Sequence, residues 1–133
     1  MTRVVIDTNV LISALLTEAG SEATVISLVR SGQVEWWVSE AILAEYHEVI
    51  QRPKFSAIRP DRIKGLIQTL HKAVVVVPIT KRAISPDEPD NRFLECAEAA
   101  NANFLITGNK KHFPEDYKNT KVVNARELLE RLS

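Results

Sequence analysis

The sequence has a single cysteine, Cys96, in 133 residues. No internal disulfide can form, so a disulfide-stapled scaffold is excluded and a reducing, cytoplasmic setting is expected. An excess of either charge is also missing, since 17 Lys and Arg balance 17 Asp and Glu. This argues against a uniformly basic nucleic-acid coat, but leaves room for a local basic patch beside an acidic cleft. The apolar runs are far too short to span a membrane. The apolar N-terminus carries Arg3 and Asp7 and lacks a small-residue cleavage pattern, which does not fit a secretory leader. The three histidines, His47, His71 and His112, are scattered, so no Cys/His cluster suggests zinc and each reads as a surface residue. No repeat, low-complexity stretch or linker divides the chain, and one domain over residues 1–133 is expected. A chain of this length buries roughly two-thirds of its unfolded surface and needs no structural metal to fold.

Strand and helix signals alternate along the chain. Arg3 to Asp7 contains the continuous apolar run Val4-Val5-Ile6, which suits a parallel strand buried on both faces. Helices are predicted from about Asn9 to Leu16, from a Ser21 cap to Gly32, from a Ser39 cap to about Gln51, and from Pro60 to His71. Further strands are predicted at Glu35 to Val38, Val74 to Val77, Phe104 to Thr107 and Lys121 to Val123. The turn-rich segment SPDEPDN leads into a helix reaching about Ala100. A last helix starts at Asn124, with Glu127 placed for a capping box. The alternation predicts an α/β fold, a central parallel sheet covered on both faces by helices.

Ligands of open parallel sheets bind beyond the carboxyl ends of the strands. Asp7 ends the first apolar strand and can face that edge, or it can simply cap the next helix. On a helical wheel, Ile42, Leu43, Tyr46, Val49 and Ile50 share one arc, and Glu45 falls roughly 40° beyond its edge. Glu45 can therefore reach the rim of the core, or it is an ordinary boundary glutamate. Asp90 precedes Phe93, Leu94 and Ala97 at i+3, i+4 and i+7, so it starts a core-facing stripe; a simple helix cap is the alternative. Asp87 is a weaker candidate just upstream, and Glu95 and Glu98 read as solvated. Carboxylates converging at one point repel one another unless a cation neutralises them, and oxygen-only ligands select Mg²⁺ or Mn²⁺.

The segments VIDTNVLISALL, SEAILAEYHEVIQRPKF, DEPDNRFLECAEAANANFLITGNKKHF and VVNARELLERL, in that order, resemble the PIN domains over nearly the whole chain. The resemblance is nearest to the prokaryotic group regarded as toxin components of toxin–antitoxin systems, with VapC-type toxins more distant. It implies a three-layer α/β/α sandwich and a metal-dependent endoribonuclease that attacks a phosphodiester with a metal-activated water. Residue by residue, the family's acidic site falls on Asp7, Glu45 and Asp90. A fourth Asp, common after the Thr-Gly pair, is Asn109 here, which keeps a carbonyl oxygen but removes one negative charge. Asp116 lies downstream as a possible substitute. Thr8, Asn9 and Thr107 match small polar residues that orient the site. Arg52 and Lys54, with Arg59, Arg62 and Lys64 nearby, and Lys110 and Lys111 with His112 offer contacts to an RNA backbone; a solvated surface accounts for them at least as well. The resemblance further implies a cognate antitoxin and a homodimer. Two other readings compete. A haloacid-dehalogenase-like phosphatase needs an acid two residues after Asp7, where Asn9 stands. A non-catalytic PIN scaffold draws its support from Asn109.

Overall fold

The computed structural model describes residues 1–79, 81 and 84–133. In chain order the elements are β1 (Arg3–Ile6), α1 (Thr8–Leu16), α2 (Ser21–Arg30), β2 (Glu35–Val38), α3 (Glu40–Ile50), α4 (Pro60–Leu70), β3 (Val74–Val75), α5 (Asp90–Ala100), β4 (Phe104–Ile106), β5 (Asp116–Tyr117), β6 (Thr120–Val123) and α6 (Ala125–Leu132). Short 3-10 turns occupy Pro53–Phe55 and Lys110–His112. Among the described residues no single helix is long and apolar enough to cross a membrane.

Six strands form one sheet in the order β3-β2-β1-β4-β6-β5. All pairings are parallel except β5 with β6. Successive side chains of a strand point to opposite faces. Val4, Val5 and Ile6 are nonetheless all fully buried, so helices cover the sheet on both sides, as an α/β sandwich requires. The strand order reverses between β1 and β4, which pair in the register Val4 with Phe104 and Ile6 with Ile106. The Asp7 amide extends this ladder by donating to the Ile106 carbonyl at 2.9 Å. The crevice beyond that reversal is where an open α/β sheet binds its ligands.

The ends of the helices follow local chemistry. The Ser39 hydroxyl accepts from the Ile42 amide and starts α3 as expected. Asn124 and Glu127 form a reciprocal capping box at α6. Gly32 follows α2 with φ of 79°, a left-handed conformation that costs a glycine little. Ser21 is the first residue of α2 and Gly20 occupies the cap.

Trp36 from β2, Tyr46 from α3 and Phe93 from α5 are buried together, with ring centroids 5.9 and 6.5 Å apart along the chain of contacts. Burying aromatic rings of this size stabilises the fold by about 2–3 kcal/mol each. The Tyr46 hydroxyl donates to the carbonyl of Ile6, the residue before Asp7. One side chain thus fastens α3 to the end of β1.

Three expectations need correction. Only Val74 and Val75 pair as a strand, on the sheet edge against β2, and Val75 and Val77 are 53% and 79% exposed. A run of valines marks β propensity, and it does not distinguish a central strand from an edge. The short β5 was not expected; it turns back on β6 through Lys118, whose φ is 56°. Glu95 is buried at 6% exposure, where Arg92 meets its carboxylate at 2.8 Å.

Candidate metal centre

Asp7 occupies the cap position of α1, yet its side chain makes no capping hydrogen bond. It turns inward, 5% exposed, and the Thr107 hydroxyl donates to Oδ2 at 2.7 Å. Burial pushes its carboxyl up to about 6 against the opposing pull of that hydrogen bond, with the Glu45 and Asp87 charges adding to the rise. Glu45 comes from the second turn of α3, where the Thr8 hydroxyl donates to Oε2. Thr8 directly follows Asp7, so this hydrogen bond and the Tyr46 anchor set Glu45 beside the end of β1.

Asp90 is the first residue of α5, with Pro89 at the cap. Its side chain is 13% exposed, and Oδ2 is buried without a hydrogen-bond donor among the described residues. Burial again drives its carboxyl up to about 6, reinforced by Asp7, Asp87 and Glu45 and opposed by His112. The mutual effects put Asp7, Glu45, Asp87 and Asp90 within electrostatic reach of one another. His112 Nδ1 lies 3.4 Å from Asp90 Oδ2, which corrects the reading of His112 as a plain surface residue. Asp87, Asp90 and His112 offer ligand atoms that all lie within 4.8 Å of one another.

Asn109 follows β4 and joins the centre through its backbone, whose amide donates to Thr107 Oγ1 at 3.0 Å. It also lines a cleft of about 360 Å³ with Asn9, Ser13, Glu22 and Asn124. Asn9 Oδ1 accepts from the Gly108 amide at 3.3 Å, so Asn9 braces the turn after β4. Asp116 lies elsewhere, exposed in β5 and 3.5 Å from Lys121, which removes it as a substitute for Asn109.

The basic candidates differ in their surroundings. Arg52 is held by Glu48 at 2.9 Å on the exposed end of α3. Lys54 lies over the Phe55 ring. Lys110 meets Glu127 at 2.9 Å, and Lys111 is exposed.

Residues 3–111 match the PIN domain family. The chain belongs to that family. An uncharacterised protein of Methanocaldococcus jannaschii is 32% identical to this PIN domain over 111 residues, which span 81% of this chain and 71% of that protein. Among solved structures, the crystal structure of VapBC2 from Rickettsia felis bound to a DNA fragment from its promoter is similar, with a TM-score of 0.61. The match covers 92% of this chain and 98% of the other at 18% identity, which speaks to the fold alone.

The donors of this PIN domain suit a hard divalent cation. Asp7, Glu45 and Asp90 offer carboxylate oxygens, two of them on acids that resist ionising while uncompensated. Asp90 Oδ2, without a hydrogen-bond donor among the described residues, is a buried acceptor that a cation would satisfy. Sequence reasoning passed over His112 because it sits in a 3-10 turn with no periodicity to signal its direction. It also passed over the fully buried Asn91, whose Oδ1 accepts from the Ser85 amide at 2.7 Å and whose Nδ2 donates to the Ser85 carbonyl at 3.2 Å. Its place in the turn-rich run SPDEPDN was the available signal.

Proposed function

We propose that this PIN domain is a metal-dependent endoribonuclease, acting as the toxin of a type II toxin–antitoxin pair. The observation that supports the reading is the mutual charge effect among Asp7, Glu45 and Asp90, two of them with carboxyls raised to about 6. A protein gains from so costly a cluster when a cation compensates it. Family membership supports nuclease chemistry, and the fold shared with VapBC2 supports a toxin acting beside an antitoxin partner.

In this reading Asp7, Glu45 and Asp90 hold Mg²⁺ or Mn²⁺. Held there, such a cation would supply Lewis-acid chemistry, an acidified water and compensation of charge on the phosphate oxygens. Thr107 orients Asp7 and Thr8 orients Glu45, so both carboxylates are preset before substrate arrives. In the same reading the exposed Lys111 and the cleft beside Asn109 would contact the RNA backbone. The protein works as a homodimer in this proposal, as its toxin reading implies.

The test is cleavage of a broad panel of single-stranded RNAs with Mg²⁺ or Mn²⁺. Cleavage should require the metal and disappear in Asp7→Asn and Asp90→Asn. Intact RNA across the panel, with wild type and Asn109→Asp alike, favours a non-catalytic scaffold, the reading that the missing fourth carboxylate supports. If a small gene adjoins this one, co-expression with its product tests the antitoxin: relief of growth arrest is expected.

A further inference from the structure

Two side chains at this centre are unused by the carboxylate set, Asp87 and His112. They belong to different segments, one in the loop before α5 and one in the turn after β4. Ser85 joins them. Its hydroxyl donates to the His112 carbonyl at 2.6 Å and accepts from the Asp87 amide at 3.2 Å. Ser85 is itself buried and clasped by Asn91, so the loop holds Asp87 and His112 at a set distance.

We propose that Asp87, Asp90 and His112 form a mixed nitrogen–oxygen cation subsite at the outer edge of the carboxylate cluster, selective for Mn²⁺ and similar transition-metal ions over Mg²⁺. The inference rests on the metal-dependent reading above, because Asp90 belongs to both sets.

The geometry fits a shared ion better than a direct bond. The 3.4 Å from His112 Nδ1 to Asp90 Oδ2 is longer than an N–H···O hydrogen bond, which runs to about 3.2 Å. Two neighbouring ligands of an octahedral Mn²⁺, each about 2.2 Å from the ion, stand about 3.1 Å apart, so a shift of a few tenths of an ångström seats both on one ion. Among the described residues no hydrogen-bond donor reaches Asp90 Oδ2, a buried oxygen, and the group that faces it is the His112 imidazole. All three ligand atoms lie within 4.8 Å, a spread that one ion can bridge.

The donor chemistry sets the choice of ion. An imidazole nitrogen is a better ligand for a first-row transition ion, Mn²⁺ included, than for Mg²⁺, which keeps to oxygen and water. Asp87 also restores a carboxylate to a centre whose fourth position is the neutral Asn109. His112 therefore tilts a carboxylate site, otherwise suited to Mg²⁺, toward transition metals.

The experiment titrates Mn²⁺ and Mg²⁺ into the full chain by calorimetry and records pulsed electron paramagnetic resonance on the Mn²⁺ complex. Wild type should show ¹⁴N coupling from a coordinated imidazole. His112→Gln should lose that coupling and at least about tenfold in Mn²⁺ affinity, with Mg²⁺ affinity nearly unchanged. Asp87→Asn, an exposed substitution that spares the histidine, should weaken Mn²⁺ binding while keeping ¹⁴N coupling. Circular dichroism verifies that both variants fold. Tight Mn²⁺ binding without ¹⁴N coupling, and an unchanged Mn²⁺ to Mg²⁺ ratio in His112→Gln, overturns this subsite and leaves the nuclease reading standing. Failure of wild type to bind either ion overturns both.

Discussion

Thr107 donates its hydroxyl to Asp7 Oδ2 at 2.7 Å, across the point where the strand order of the sheet reverses. The Thr107 hydroxyl oxygen in turn accepts from the Asn109 amide at 3.0 Å. One hydroxyl therefore aims the buried carboxylate of β1 and fixes the turn after β4. Its removal should loosen both. Thr107→Val keeps the shape and deletes the hydroxyl. Calorimetry should show Mn²⁺ affinity falling by about tenfold, and thermal melting a stability loss of about 1–2 kcal/mol. An unchanged affinity would mean that Asp7 is aimed by packing alone.

Asn109→Asp tests the missing charge. A carboxylate at the end of β4 adds about one negative charge to the edge that receives the cation. Tighter Mn²⁺ binding and equal or faster RNA cleavage are expected. A rise from barely detectable to ready cleavage would show that the natural asparagine limits the enzyme. Slower cleavage with tighter binding would place the added charge against the substrate phosphate.

The raised carboxyls make the metal-free protein sensitive to pH. Asp7 titrates near 3.8 when unfolded and at about 6 in the fold. The fold thus holds this proton more tightly than the unfolded chain does. That contribution to stability is complete below 3.8 and is lost as pH rises through about 6. The rise corresponds to about 3 kcal/mol. Asp7→Asn removes the charge and can still accept from Thr107. Without metal, its melting temperature should exceed wild type by several degrees at about pH 7, and the gain should vanish in more acidic buffer as wild-type Asp7 protonates. Saturating Mn²⁺ should reverse the order, since only wild type gains from the ion. Identical melting curves for the two metal-free proteins at about pH 7 would refute the burial cost.

Lys111 and Arg52 should behave differently toward RNA. Arg52 is already paired with Glu48, whereas Lys111 is exposed and has no ion pair among the described residues. Neutralising one phosphate contact lowers the salt dependence of binding by about one charge. Binding of a catalytically silent Asp90→Asn protein to RNA, measured over a range of salt, should lose that slope in Lys111→Ala and keep it in Arg52→Ala. Equal slopes in all three proteins would leave Lys111 a solvated surface residue.

The sequence by itself determined where Asp7 ends a doubly buried strand and where α3 and α6 begin, and it offered Asp7, Glu45 and Asp90 as candidates for the sheet's edge. These features are written in local patterns: an apolar run followed by an acid, a cap residue, a stripe at helical spacing. Glu45 was legible as a residue at the rim of the apolar arc, and its neighbour Thr8 as a residue at the strand end. Only the tertiary structure decided that these two meet, because their hydrogen bond joins positions 37 residues apart. The same holds for Asp90 and His112, which meet through a loop clasped by Ser85 and a turn without periodicity. The valine run at positions 74–77 shows the limit from the other side. Propensity reports that a strand is favourable, but the neighbours that would bury it are chosen by strand order, and here β3 has a neighbour on one side only. Charge follows the same division. A sequence counts Glu95 as an acid on a polar face, and only packing reveals that Arg92 lets it be buried.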